Sequence, residues 1–225
     1  MKTVYVRVNT GVISGIFFFG LYYYVPSLFL CLLLSLSVWM VMVEWPRVQG
    51  VEAGMTDAIL FWYQVPTVST LVYPLIPLSL LIMHVAVWRS EAPFYGLYPF
   101  VAAWLVDASA YIIGSVWGTH RCFPRISPNK TREGVLGGVA TLSLFHMLLW
   151  LSGATTQSWW VMLLGAWVVA GAAVAGDLLM SWCKRQQGLK DTGELLPGHG
   201  GLLDRFDSVL GVIVVVSLFD ISMYW

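Results

Sequence analysis

The feature that most constrains this sequence is a succession of apolar runs, most of them about the length of a bilayer crossing. A helix rises about 1.5 Å per residue, so roughly 20 mostly apolar residues cross the hydrocarbon core. Seven stretches meet or approach that length, near residues 10–24, 27–45, 68–88, 95–118, 134–152, 158–180 and 207–225. The first two join at a short turn around Val25-Pro26-Ser27. The expected fold class is all-α: a polytopic transmembrane helical bundle of about seven spans. Composition agrees, because only 11% of residues are charged and 58% are hydrophobic, whereas soluble domains carry about 25% charged residues.

Lys2 and Arg7 precede an apolar run that starts at Gly11 and continues past signal-peptide length, so the N-terminus is read as a retained anchor. Between Trp45 and Thr67 the apolar pattern weakens at Arg47, Glu52, Gly54 and Asp57. The run from Ala58 to Tyr63 that follows is too short to span, and its Trp62 and Tyr63 suit the headgroup level. The expected division is an N-terminal membrane region over 1–95, with an interfacial segment near 46–67, and a catalytic membrane domain over 96–225.

Seven spans place the termini on opposite sides. One side then holds Lys2, Arg7, Arg47, Arg121, Arg125, Lys130, Arg132, Lys184, Arg185, Lys190 and Arg205, and the other holds only Arg89 out of the 12 Lys and Arg. The positive-inside rule assigns the basic side, with the N-terminus, to the cytosol. A bacterial inner membrane is the expected location. The net charge is zero, so the totals say nothing about partners. The lipid bilayer is the expected environment, and nucleic acid is not an expected partner. The three cysteines, Cys31, Cys122 and Cys183, show no metal-ligand spacing.

Charged residues inside membrane helices are costly and mark function or a buried pair. Asp107 lies deep in an apolar run, and Asp177 closes the sixth. Glu44 and Asp220 lie near span ends, where reaching the interface is explanation enough.

The segment from Gly176 to Ser208 carries the densest chemistry. Asp177, Ser181 and Lys184 are spaced i, i+4, i+7 and share one face of a continuing helix. Glycines at 188, 193, 198, 200 and 201, with Pro197, then interrupt any helix around Lys190, Asp191 and His199. Such turns bring backbone N–H groups close to anions. A second helix is expected from Leu202 or Leu203, with Asp204, Arg205 and Asp207 in its first turn. Carboxylates alternating with cations suit a magnesium–phosphate site, because magnesium takes oxygen ligands and Lys and Arg neutralise phosphate. The basic loop from His120 to Gly134 lies on the same side. It places Ser127, Lys130, Thr131 and Arg132 before a helix that opens near Glu133.

These residues resemble a known signature. The run Ser181-x2-Lys184-Arg185-x4-Lys190-Asp191-x-Gly193-x2-Leu196-Pro197-x-His199-Gly200-Gly201-Leu202-x-Asp204-Arg205-Phe206-Asp207 is similar to that of the phosphatidate cytidylyltransferases, or CDP-diacylglycerol synthases. Two upstream stretches agree in the expected order: Asp107-x2-Ala110-Tyr111-x2-Gly114, and Ser127-Pro128-x-Lys130-Thr131-x-Glu133-Gly134-x2-Gly137-Gly138. The resemblance is close over roughly residues 100–210. The family commonly has a glutamate where this chain has Met180.

The resemblance implies transfer of a cytidylyl group from CTP to phosphatidate, with release of pyrophosphate, at the cytosolic membrane face. It implies Asp177 and Asp204 as Mg2+ ligands, with a second monovalent or divalent cation as an option and Asp207 as a helper. Lys184, Arg185, Lys190 and Arg205 would bind phosphates, and Asp191 and His199 would complete the catalytic set. Asp107, Ser127, Lys130, Thr131, Ser181, Gly200 and Gly201 would contact substrate. A homodimer is the family's implied assembly. Two alternatives remain open at this point. One is another CTP-using membrane enzyme, such as a lipid-alcohol kinase. The other is a catalytically silent lipid-binding relative, for which Met180 is the argument.

Overall fold

A computed structural model of the chain describes residues 16–51, 73–193, 195 and 200–218. It is mostly helical. Residues 16–24 are helical, and a break at Val25 leads into α1 (Pro26–Trp39), with the proline in the first turn, where its missing N–H costs no hydrogen bond. A five-residue π-turn, Met40–Glu44, links α1 to the short α2 (Trp45–Val48). Pro46 cannot donate to the carbonyl four residues back and crowds it, which accounts for the widened turn just before it. Further along are α3 (Leu75–Glu91), α4 (Pro93–Trp117), a hairpin of β1 (Arg121–Phe123) and β2 (Ser127–Thr131), α5 (Arg132–Leu151), α6 (Trp159–Gln186) and α7 (Leu203–Leu218).

Among the described residues, four segments are long and apolar enough to cross a membrane: Pro26–Val48, Pro93–Trp117, Arg132–Leu151 and Trp159–Gln186. They match the expected spans near 27–45, 95–118, 134–152 and 158–180. The apolar part of α3, Leu75–Arg89, is shorter. The expected spans near 10–24, 68–88 and 207–225 lie partly outside the described residues, and the expected interfacial run at 58–63 lies wholly outside them. Leu136, Leu144 and Leu148 on α5 and Leu164, Trp167 and Val168 on α6 are exposed. Lipid solvates such side chains as well as a protein core does, so the chain is a helical membrane protein.

The hairpin departs from the all-α expectation. Its strands pair antiparallel, Arg121 opposite Thr131 and Phe123 opposite Ser127, in the segment that reads as a basic loop. No apolar alternation announces it, because β2 is Ser-Pro-Asn-Lys-Thr. What closes it is a polar clasp. Glu133 accepts from the Thr119 hydroxyl at 2.8 Å and from the His120 backbone N–H at 3.3 Å, and it pairs with His120 Nδ1 at 2.7 Å.

By internal packing the chain divides into two compact units. One comprises Met1–Gly96 and Leu189–Asp204, the other Leu97–Gly188 and Arg205–Trp225. In the second unit small residues set the helix crossings, as apolar lipid makes necessary. A Cβ on Gly134 would lie 2.6 Å from the Ala110 carbonyl oxygen, and one on Gly138 would lie 3.1 Å from the Val106 carbonyl oxygen. The i, i+4 stripe of Gly134 and Gly138 is thus the face on which α5 meets α4. At a second crossing, a Cβ on Gly176 of α6 would collide with the Asp207 carbonyl oxygen of α7. A Cβ on Gly211 of α7 would collide with the Ala172 carbonyl oxygen.

Candidate active site

Helix α6 runs unbroken through Gln186, so the i, i+4 spacing read from the sequence becomes a contact. Ser181 Oγ donates to Asp177 Oδ1 at 3.2 Å. The other carboxylate oxygen, Oδ2, pairs with Lys130 Nζ of the hairpin at 2.6 Å. Lys184, one turn further along, is only 7% exposed. The close approach at Gly176 and Gly211 seats Asp207 beside the same face. Asp107, Asp177 and Asp207 lie within electrostatic range of one another, with Lys130 and Arg205 acting on Asp107 and Lys184 acting on Asp207. Arg185 Nε donates to the Ile126 carbonyl at 3.4 Å, tying the end of α6 to the hairpin turn.

The second unit thus gathers Asp107, Lys130, Asp177, Ser181, Lys184, Arg205 and Asp207 around one patch. Thr131 takes a supporting place. It is buried at 3% exposure, and its hydroxyl caps α5 by accepting the Gly134 N–H at 3.1 Å. Gly114 and Gly118 leave room for that hydroxyl, since a Cβ on either would lie within 2.8 Å of it. The cap directs the chain from β2 into α5 and so fixes the strand that presents Lys130. Ser127 lies at the far end of β2, opposite Phe123.

The first unit holds the other half of the signature. Asp204 Oδ2 accepts from the backbone N–H groups of Thr192 at 2.8 Å and Gly201 at 3.0 Å. Gly200 has φ +79°, and a Cβ there would lie 3.1 Å from Asp204 Oδ2 and 3.3 Å from Asp191 Oδ1. Its glycine identity therefore answers both to the left-handed backbone and to the flanking carboxylates. Lys190 and Asp191 are exposed. His199 lies outside the described residues.

Two residues of this half were passed over in the sequence. Glu44 was expected to need nothing beyond the interface, yet it is 1% exposed. It accepts the N–H of Leu202 at 2.8 Å on Oε1 and the N–H of Leu203 at 2.6 Å on Oε2. The Thr192 hydroxyl lies 2.9 Å from Glu44 Oε2 and 3.1 Å from Asp204 Oδ2. No local pattern announces Glu44, because its partners are about 150 residues away. The one hint was a carboxylate at the end of an apolar run. Thr192 stands at a variable position within the signature.

Met180 is fully buried and contributes packing volume beside the Asp177 face. Among the described residues, no three His, Cys, Asp or Glu side chains are gathered closely enough to hold an ion by themselves.

A model of the cytidylyltransferase family matches residues 61–222 of the chain. Among curated proteins, the chain is similar to a phosphatidate cytidylyltransferase of Staphylococcus haemolyticus, 39% identical over 141 residues covering 63% of this chain and 54% of that protein. One from Staphylococcus epidermidis is 42% identical over 130 residues, covering 58% of this chain and 50% of that protein. One from Staphylococcus aureus is 39% identical over 130 residues, with the same coverage of 58% and 50%. The chain thus spans about half the length of the curated relatives it matches.

Proposed function

This chain belongs to the cytidylyltransferase family, and from that premise we propose that it transfers a cytidylyl group from CTP to phosphatidate, giving CDP-diacylglycerol and pyrophosphate. The observation that carries the reading is the Asp177 carboxylate held between Lys130 at 2.6 Å and Ser181 at 3.2 Å, with Asp107 and Asp207 in electrostatic range, Arg205 acting on the first of these and Lys184 on the second.

The chemistry needs no protein nucleophile. A phosphate monoester has its second pKa at about 6, so the lipid phosphate is already a strong anion near neutral pH. One of its oxygens attacks the α-phosphorus of CTP, the bond to the β-phosphate oxygen breaks, and pyrophosphate leaves. The obstacle is repulsion between two anions, and fixed cations offset it. Lys130, Lys184, Arg185 and Arg205 supply that charge in the second unit, and Lys190 is the further cation of the signature. Lys130 has a particular part, since its ammonium already sits against a carboxylate and exchanges that partner for a phosphate oxygen.

Asp177 and Asp204 are the residues we assign to Mg2+. Magnesium commonly takes one or two carboxylates and completes its shell with water and substrate phosphates, so the hard oxygen donors of each suit that ion. The ion, when bound, would neutralise charge on the triphosphate and on the departing pyrophosphate. Asp177 also holds Ser181 and Lys130 in place, and Asp204 holds the turn at Gly201. The catalytic face is proposed to be cytosolic, on the charge asymmetry of a seven-span arrangement, with the acyl chains remaining in the bilayer.

One assay tests the reading. The purified chain in detergent is given phosphatidate, CTP labelled in its cytidine and Mg2+. Label in the lipid fraction together with released pyrophosphate is the expected result. In a parallel reaction given diacylglycerol in place of phosphatidate, free labelled CDP with formation of phosphatidate would assign a lipid-alcohol kinase instead. No product from the native chain, but product after Met180→Glu, would make it a silent relative. Since Met180 is fully buried, the expectation is that Met180→Glu lowers the unfolding temperature and does not raise turnover, because a buried carboxylate needs a partner.

A further inference from the structure

The family match begins at residue 61, yet a side chain that holds two backbone N–H groups of the signature precedes it. Glu44 is 1% exposed and accepts the N–H of Leu203, the first residue of α7, and that of Leu202 just before it. Those donors have no partner within the helix, and a helix N-terminus favours negative charge. The same carboxylate reaches the Thr192 hydroxyl at 2.9 Å, and the backbone N–H of Thr192 is bound by Asp204 at 2.8 Å.

The loop is shaped around this arrangement. A Cβ on Gly201 would collide with Thr192 Oγ1 and would lie 2.8 Å from Glu44 Oε2. A Cβ on Gly193 would lie 3.4 Å from Glu44 Oε1 and 3.6 Å from Arg47 Nη1. The glycine at 201 thus leaves room for Thr192 and Glu44, whereas a methyl at 193 would only touch Glu44 and Arg47 in ordinary contact. The π-turn at Met40–Glu44 ends on this residue, and such turns recur at functional sites.

We propose that Glu44 is a positioning residue for the cytidylyl transfer: its carboxylate fixes the start of α7 and, through Thr192, the orientation of Asp204. The catalytic consequence rests on the function proposed above; the holding role does not. Glu44→Gln keeps the size but replaces one acceptor oxygen with an NH2 group, which faces donors and cannot accept.

The test pairs two readouts on the full chain in detergent. Hydrogen–deuterium exchange follows the 189–204 segment, and steady-state kinetics follow transfer from CTP to phosphatidate. Glu44→Gln is expected to speed exchange in that segment and to lower kcat about tenfold or more, the scale of a lost charged hydrogen bond. KM for CTP should change little. Exchange at the native rate would overturn the proposal, and so would faster exchange with kcat intact, which would leave Glu44 a fold-stabilising residue only. If Glu44→Gln does not fold, Thr192→Val against Thr192→Ser carries the same two readouts. The valine is expected to behave as Glu44→Gln does and the serine as the native chain does; equal behaviour of the two would overturn the proposal. If the native chain transfers no cytidylyl group, the proposed function falls, and exchange alone still decides whether Glu44 holds the segment.

Discussion

Asp177 and Glu44 are both carboxylates held at both oxygens, but by different partners. Asp177 is held by two side chains, an ammonium and a hydroxyl, and its own side chain is 25% exposed. Glu44 is held mainly by backbone N–H groups at a helix start and is 1% exposed. Side-chain partners on rotatable stems can exchange for substrate or metal at the cost of a rotamer change. Backbone donors of a helix cannot move without unwinding it. The first arrangement suits a group that changes partners during a reaction, and the second suits a group that keeps others still.

The sharpest way to break this comparison is Asp177→Asn. It removes the charge from the exchangeable site while keeping the shape, and turnover should fall about a hundredfold or more, the scale of losing one group that stabilises a developing charge. The protein should still fold, which thermal unfolding in detergent checks. Near-native turnover would remove Asp177 from the mechanism.

Lys130→Met comes next. It takes away the ion-pair partner of Asp177, and the expected loss is about tenfold in kcat/KM, in keeping with one charge-assisted hydrogen bond. A rise in KM for CTP would assign the lysine to the nucleotide. A rise for phosphatidate alone would assign it to the lipid.

Gly176→Ala tests the packing that seats Asp207 beside Asp177. The added methyl meets the Asp207 carbonyl, and overpacking of this kind costs about 1–3 kcal/mol. Gly171→Ala, on the same helix, has nothing within 4 Å of the new methyl and should stay within about 0.5 kcal/mol of the native chain. Equal unfolding temperatures for the two would mean that the crossing is not close.

The smallest effect is expected from Glu133→Gln. Its clasp with Thr119 and His120 is exposed, and exposed pairs contribute little. Turnover and unfolding temperature should both stay near native values, which the same assay and melt would record.

Much of the fold was legible in the sequence because lipid imposes a simple rule. Backbone polar groups must bond within a helix, so apolar length becomes a span. The expected stretches near 95–118, 134–152 and 158–180 are met by helices whose ends differ by only a few residues, the end of α6 excepted. That helix continues past the apolar run to Gln186, as the i, i+4, i+7 spacing of Asp177, Ser181 and Lys184 anticipates. The hairpin was not legible, since its strands carry no alternation and are held by the Glu133 clasp and the Thr131 cap. Those contacts join residues close in sequence, but nothing in their identity distinguishes them from an ordinary basic loop.

The sequence by itself determined the membrane class, the helical face shared by Asp177 and Ser181, and the family signature, because each depends on local spacing. Only the tertiary structure decided that Lys130 pairs with Asp177, that Gly176 and Gly211 let α6 and α7 touch, and that Glu44 holds Leu202 and Leu203. Each of those contacts joins segments distant in the chain. Local spacing fixes which way a side chain points from its own helix, whereas its partner is fixed by where another helix crosses.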